Sequence, residues 1–205
     1  STVFTIHNMA YQGLFPETTY IELNLPGQLW NPGALEFHDL LSFIKGGIAC
    51  ADHITTVSPT YALEIQTADY GYGLEGLLHH RHHELNGIIN GIDVEVWNPE
   101  TDPRIAQNYG IDSLAKKAGN KAALQQHFSL PEEPATPLIG LIGRLVDQKG
   151  IDLVIDCLDE LINYPVQFVL LGSGEKGFEH RLKNLSYLYP DKISVSIGYN
   201  EDMAH

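Results

Sequence analysis

P-L-I-G-L-I-G-R-L-V-D-Q-K-G-I-D-L-V, residues 137–154, is the stretch from which the rest of the chain is read. Its apolar run 138–142, rich in β-branched residues and closed by Gly143, predicts a buried strand. Ile151, Val154, Ile155, Leu158 and Leu161 follow at helical spacing, so the strand feeds a helix that begins near Gly150. Arg144 and Lys149 fall in the turn between the two. In an open α/β sheet, ligands bind where loops leave the carboxyl ends of the strands. A helix N-terminus at such a place adds unpaired N–H groups and the positive end of the helix dipole. Two cations there suit a phosphate-bearing ligand. They equally suit a solvated loop with ordinary surface charges, and spacing alone does not choose.

Downstream the pattern continues as strand 166–171, the turn G-S-G-E-K-G, helix 178–188 and strand 193–197. With 138–142 and helix 150–163 this makes β-α-β-α-β with short connections, which predicts a parallel, doubly wound sheet. Gly172-Ser173-Gly174 follows a strand and opens a helix, as a phosphate loop does. It lacks the third glycine of the dinucleotide fingerprint and the lysine-serine pair of a Walker loop, so it reads either as an anion cradle or as a tight connection.

Upstream, P-E-E-P-A-T-P (131–137) is a rigid spacer, 114–128 an Ala- and Lys-rich helix, and 93–113 an Asp-, Asn- and Pro-rich crossing between two domains. The first 92 residues hold strand 2–6, with His7, Asn8 and Gly13 clustered at its exit, then a Pro- and Gly-rich loop (15–33) carrying Tyr20 and Trp30. From Leu35, apolar residues at 37, 40, 41, 44 and 48 predict a helix. Gly46 and Gly47 inside it imply close packing against backbone. Strand 53–57 precedes Ser58-Pro59, an N-cap with proline at the first helical position, and helix 59–65. The run 85–92 is a strand interrupted at Asn90-Gly91.

Twelve Lys and Arg against 26 Asp and Glu leave a net charge of −14, which argues against non-specific nucleic-acid binding. A local anion site is still allowed: Arg144, one of only four arginines, stands five residues from Lys149. At 205 residues and 43% hydrophobic content the chain can bury a real core. No apolar run approaches the 18 or so residues of a membrane span. Cys50 and Cys157 lie in apolar helical patterns and read as small buried hydrophobes in a reducing compartment.

His79, His80, His82 and His83 form a visible cluster, with His79 and His83 at the spacing of one helix face. No carboxylate or cysteine completes a zinc motif, so a solvated helix face is the expectation. His7, at a strand exit, suits a hydrogen bond to a hydroxyl or a proton transfer near neutral pH, or else it holds the loop. Asn90 suits a ligand hydroxyl or a left-handed turn. No nucleophile motif such as G-x-S-x-G is present.

Taken together, H-N-M-A-Y-Q-G (7–13), L-E-F (35–37), S-F-I-K-G-G-I (42–48), A-D-H-I-T-T-V-S-P-T-Y-A (51–62), G-I-I-N-G-I-D (87–93) with W-N-P (97–99), G-R-L-V-D-Q-K-G (143–150) and G-Y-N-E (198–201) resemble bacterial glycogen synthases and the related starch synthases. The resemblance runs through essentially the whole chain. It implies the α/β GT-B fold, in which two Rossmann-like, doubly wound parallel-sheet domains close over a cleft. Here both domains are expected to be incomplete: 1–92 as the closing part of the N-terminal, acceptor-side domain, 93–135 as the crossing and its helix, and 136–205 as the first part of the C-terminal, nucleotide-sugar-binding domain. The implied activity is retaining transfer of glucose from ADP-glucose to the non-reducing end of an α-1,4-glucan, without a dedicated protein nucleophile.

By the same resemblance His7 contacts the donor glucose and Asn90 holds its hydroxyls. Arg144 and Lys149 take the diphosphate, Tyr199 packs against the nucleobase, and Gly198 is counted among the substrate-binding residues. No cofactor and no metal is implied; ADP-glucose is a substrate. Neither a membrane nor a nucleic-acid partner is expected, and the compartment is the bacterial cytoplasm, or the plastid for a plant enzyme. The family's K-T-G-G-L loop and its E-x-x-G-L segment are absent from these residues, so the expectation is an internal piece that is inactive alone. Two other readings are another GT-B enzyme with a different nucleotide sugar and a non-catalytic glucan-binding homologue.

Overall fold

In the computed structural model, which describes residues 1–205, contacts group the chain into two units, Ser1–Ile92 and Asp93–His205. The first runs β1 (Val3–Ile6), β2 (Leu14–Pro16), α1 (Glu17–Glu22), β3 (Glu36–Phe37), β4 (Leu40–Ser42), α2 (Phe43–Cys50), β5 (His53–Thr56), α3 (Pro59–Glu64), α4 (Ala68–Gly71), α5 (Glu75–His80) and β6 (Leu85–Gly87). A parallel sheet β1-β5-β6 carries the core, and a small antiparallel sheet β2-β4-β3 lies beside it in sequence. Ile6, Ile54 and Leu85 from the parallel strands meet Ile44 and Ile48 of α2 and Leu78 of α5. Each such buried side chain contributes roughly 1.5–3 kcal/mol.

The pattern from Leu35 makes a hairpin and a helix where one helix is expected. His38 and Asp39 both adopt left-handed backbone (φ 52° and 63°), the pairing of a tight two-residue turn. Glu36 Oε1 accepts the Asp39 N–H at 2.8 Å. Ser42 Oγ then accepts the Lys45 N–H at 3.2 Å, so α2 begins only at Phe43. Apolar positions 37, 40 and 41 satisfy either period, and turn chemistry decides. Gly46 and Gly47 do mark close packing, but against side chains: an added Cβ would meet Leu35 Cδ2 at 2.2 Å and Phe4 Cε2 at 2.4 Å. The strand expected over 85–92 stops at Gly87. Ser58 caps α3 with Pro59 at its first turn, as the sequence predicts.

The second unit begins with turns and a 3-10 segment (Ile111–Lys116). It continues through α6 (Lys117–His127), β7 (Leu138–Leu145), a 3-10 turn (Asp147–Lys149), α7 (Ile151–Leu161), β8 (Gln167–Gly174), α8 (Lys176–Leu188), β9 (Ile193–Ile197) and α9 (Glu201–Ala204). Its sheet is parallel, in the order β7-β8-β9. Residues 93–135, read as a crossing, belong to this unit. Buried Gln125 of α6 donates to Gln167 Oε1 of β8 at 2.7 Å, and Phe128 and Leu130 pack on Val169.

Two expectations for the deciding stretch are corrected. β7 runs on to Leu145, so Arg144 is a strand residue and not part of the turn. Nor is β7 buried: β8 has neighbours on both sides, whereas β7 has one, and its Ile142 is 58% exposed. Cys50 and Cys157 are exposed, not buried. On α7 the inward stripe is Ile151, Ile155 and Leu158, and Cys157 lies off it.

Candidate functional site

The carboxyl edge of the first parallel sheet is set by one row, Ile6–Thr56–Gly87. Thr56 Oγ1 donates to the Ile6 carbonyl at 2.8 Å, locking the strand ends in register. His7 follows immediately. Its neighbours Ile6 and Met9 are buried, which leaves His7 on the exposed side of the turn. The turn is pinned twice: the Met9 N–H donates to the Tyr61 hydroxyl at 3.0 Å, and the Ala10 N–H donates to Asn8 Oδ1 at 3.0 Å. A cleft of about 300 Å³ opens here, lined by Ile6, His7, Asn8, Tyr11, Gln12 and Phe43. Asn90 leaves the same sheet edge, three residues past β6, and is exposed. Its backbone is not left-handed, so that explanation for an asparagine at this position falls away.

At the carboxyl edge of the second parallel sheet, Arg144 stands opposite Ser173 in the β7–β8 register, and the Gly198 N–H donates to the Gly172 carbonyl at 2.9 Å. Arg144 and Gly198 are thus brought to one sheet edge. Of the four arginines, Arg81, Arg104 and Arg181 are engaged through hydrogen bonds and ion pairs; the Arg144 guanidinium has neither. Lys149 ends the 3-10 turn, exposed and without an ion pair, and Gly150 in left-handed backbone (φ 65°) starts α7. No side chain caps the α7 N-terminus.

The G-S-G turn behaves differently from a phosphate loop. Gly172, Ser173 and Gly174 are strand residues paired with Gly143, Arg144 and Leu145. A Cβ at Gly174 would sit 2.2 Å from the Leu145 carbonyl oxygen, so close approach of the two strands requires glycine. The Gly174 N–H is already taken, at 3.1 Å, by the Glu179 carboxylate, which also accepts from Lys176 at 2.7 Å. Lys176 first, and then that N–H, hold the Glu179 carboxyl below the usual carboxylate range. A carboxylate thus already takes a backbone N–H ahead of α8, whereas no side chain caps α7, whose first turn carries Asp152.

Tyr199 is 85% exposed just beyond β9. Its hydroxyl donates to the Glu201 carboxylate, which raises its pKa above the ordinary tyrosine value. Gly198 has φ 146°, a conformation that a side chain would strain, and open space where a Cβ would be. The histidine cluster is split: α5 ends at His80, so His79 and His83 do not share a helix face. Arg81 in its midst donates to the Ile48 carbonyl and is structural.

Sequence reasoning missed three partnerships. Buried Gln12 donates to the Tyr72 carbonyl at 2.8 Å, and the only hint is an aromatic residue standing between Gly71 and Gly73. Tyr61 binds the His7 turn from α3, with no local signal at all. Asp102 Oδ2 accepts from His205 Nδ1 at 2.6 Å, and the His205 ring stacks on Trp97 at 3.9 Å. The Arg104 N–H, and then His205, hold the Asp102 carboxyl below the usual range.

Known proteins bear on this geometry in three ways. Residues 1–80 match the family model described as the starch synthase catalytic domain. Over its whole length the chain is 52% identical to glycogen synthase 1 of Methylococcus capsulatus and 51% identical to the glycogen synthase of Cellvibrio japonicus, spanning 42% and 43% of those proteins. Among solved structures, 99% of it superposes with a TM-score of 0.92, at 34% identity, on 43% of the catalytic domain of starch synthase IV from Arabidopsis thaliana bound to ADP and acarbose. The class this defines is a Rossmann-type α/β protein of the GT-B kind, with parallel and antiparallel sheets. More narrowly, the chain is similar to glycogen synthases and starch synthases, over a segment spanning about two-fifths of their length. No helix in it is long and apolar enough to cross a membrane.

Proposed function

We propose that these residues are part of a glycogen or starch synthase, which transfers glucose from ADP-glucose to the non-reducing end of an α-1,4-glucan and releases ADP. In this reading 1–92 is the later part of the acceptor-side domain, 93–135 the crossing with its helix, and 136–205 the first part of the nucleotide-sugar domain. The sugar C1–oxygen bond to the diphosphate breaks, the glucan O4–C1 bond forms on the same face, and the O4 proton leaves with a phosphate oxygen. No protein nucleophile enters. Negative charge grows on the departing diphosphate, so cations set in place beforehand stabilise the transition state more than the ground state.

One observation carries the donor site. Arg144, alone among the arginines without a partner, is an exposed strand-end cation, and Lys149 closes the turn before an uncapped helix of 11 residues. A diphosphate supplies the charge that such a helix end and two free cations favour. His7 and Asn90 are assigned to the glucose hydroxyls, and Gly198 with Tyr199 to the nucleobase, whose face the exposed phenol ring can cover. The bacterial cytoplasm suits both the bacterial relatives and two exposed free thiols.

The test is transfer by the full-length protein from radiolabelled ADP-glucose or UDP-glucose to glycogen. Label entering glycogen from ADP-glucose is the expected result. Transfer from UDP-glucose alone overturns the donor assignment, and binding of glucan without any transfer makes the protein a non-catalytic homologue.

A further inference from the structure

Tyr72 is an aromatic residue held in left-handed backbone (φ 53°), a conformation that bulky side chains rarely adopt. Glycine stands on both sides of it, and Gly73 continues the turn at φ 84°. The carbonyl of Tyr72 is fixed by Gln12, whose side-chain amide donates at 2.8 Å from a position only 7% exposed. Gln12 is itself fastened to α2, since its own carbonyl accepts the Ile44 N–H at 3.2 Å. A buried amide thus maintains a strained backbone, and the product is a tyrosine 54% exposed to solvent. Strain kept in place by its surroundings gathers at sites where it is used.

Tyr11, adjacent to Gln12, is 69% exposed. Tyr11 and Tyr72 line one cleft of about 430 Å³, together with Gln12, Gly13 and Leu14. Tyr11, Gln12 and Gly13 also line the cleft that holds His7. Two exposed aromatic residues on one cleft have a chemical counterpart in a pyranose, whose C–H face packs on a ring.

We infer that Tyr11 and Tyr72 stack against glucose units of the α-1,4-glucan acceptor, with Gln12 as the positioning residue that holds Tyr72 in place. This rests on the acceptor reading given above and adds the residues that grip the glucan.

The experiment uses the full-length protein with maltoheptaose as acceptor, reading the acceptor KM and the ADP-glucose KM separately. Tyr11→Ala and Tyr72→Ala raise the acceptor KM by about tenfold, the factor for one well-packed aromatic contact. The ADP-glucose KM moves by less than about twofold in both, because uniform binding of the other substrate alone is lost. Tyr72→Phe restores the acceptor KM. Tyr72→Gly suits the left-handed backbone, folds at least as well, and shows the same acceptor defect, which separates the ring from any structural role. Gln12→Leu raises the acceptor KM in the parent but adds nothing on top of Tyr72→Gly. An unchanged acceptor KM in both Tyr11→Ala and Tyr72→Gly, in a protein that elongates maltoheptaose normally, overturns this inference and leaves the acceptor reading standing. A parent protein that transfers no glucose to maltoheptaose overturns that reading and the inference with it.

Discussion

A Cβ on Gly172 would stand 2.1 Å from the carbonyl oxygen of Gly143, one residue from the row that holds Arg144 and Ser173. The carboxyl edge of the second sheet closes only because that side chain is missing. Gly172→Ala must push β7 and β8 apart, an overpacking of backbone against backbone that costs about 2 kcal/mol or more. Urea unfolding of the full-length protein should show the lowered midpoint. An unchanged midpoint would mean that the strands have room to spare.

Glu179 gives the stability a defined response to acid. Its carboxyl is depressed in the folded state, chiefly by Lys176 and then by the Gly174 N–H. The stabilisation is therefore fully present above the ordinary carboxylate range, near pH 4, and is lost as pH falls through the lower folded value. Glu179→Gln should be less stable than the parent at pH 7, and the gap should close in acid. A gap that stays constant from pH 7 down to about 3 would show that the carboxylate's charge contributes nothing.

The four histidines at the end of α5 should be dispensable. Changing His79, His80, His82 and His83 together to Asn or Gln should leave transfer within about threefold of the parent, the span of ordinary surface substitutions. Stoichiometric zinc in the purified protein, lost together with activity on that change, would refute this.

Tyr199 separates a ring effect from a hydroxyl effect. If the phenol covers the nucleobase, Tyr199→Ala should raise the ADP-glucose KM by about tenfold and Tyr199→Phe by far less. Equal defects in both variants would assign the role to the hydroxyl and its bond to Glu201.

Much of the fold was legible because parallel strands and their helices leave unambiguous periods. Strand 193–197, the start of α7 after Gly150 and the Ser58-Pro59 cap all stand where the pattern puts them. What was not legible depends on contacts distant in sequence. Apolar residues at 37, 40 and 41 fit a helix or a hairpin, and only the left-handed pair His38-Asp39 resolves them. A G-S-G run looks like a phosphate loop until the opposing strand and the Glu179 carboxylate are in place. Arg144 and Lys149 were visible as rare cations near a strand end. That the other arginines are engaged and Arg144 is not is information that only the folded chain contains.

The central claim is that Arg144 and Lys149 hold the donor diphosphate as charge builds on it, and donor-varied steady-state kinetics test it most directly. In the full-length protein, Arg144→Ala and Lys149→Ala should each lower kcat/KM for ADP-glucose by roughly 100-fold or more, the effect of removing one preorganised partner of a developing anion. A loss below about threefold in both, no more than surface substitutions produce, would make the two residues ordinary surface charges and place the diphosphate elsewhere.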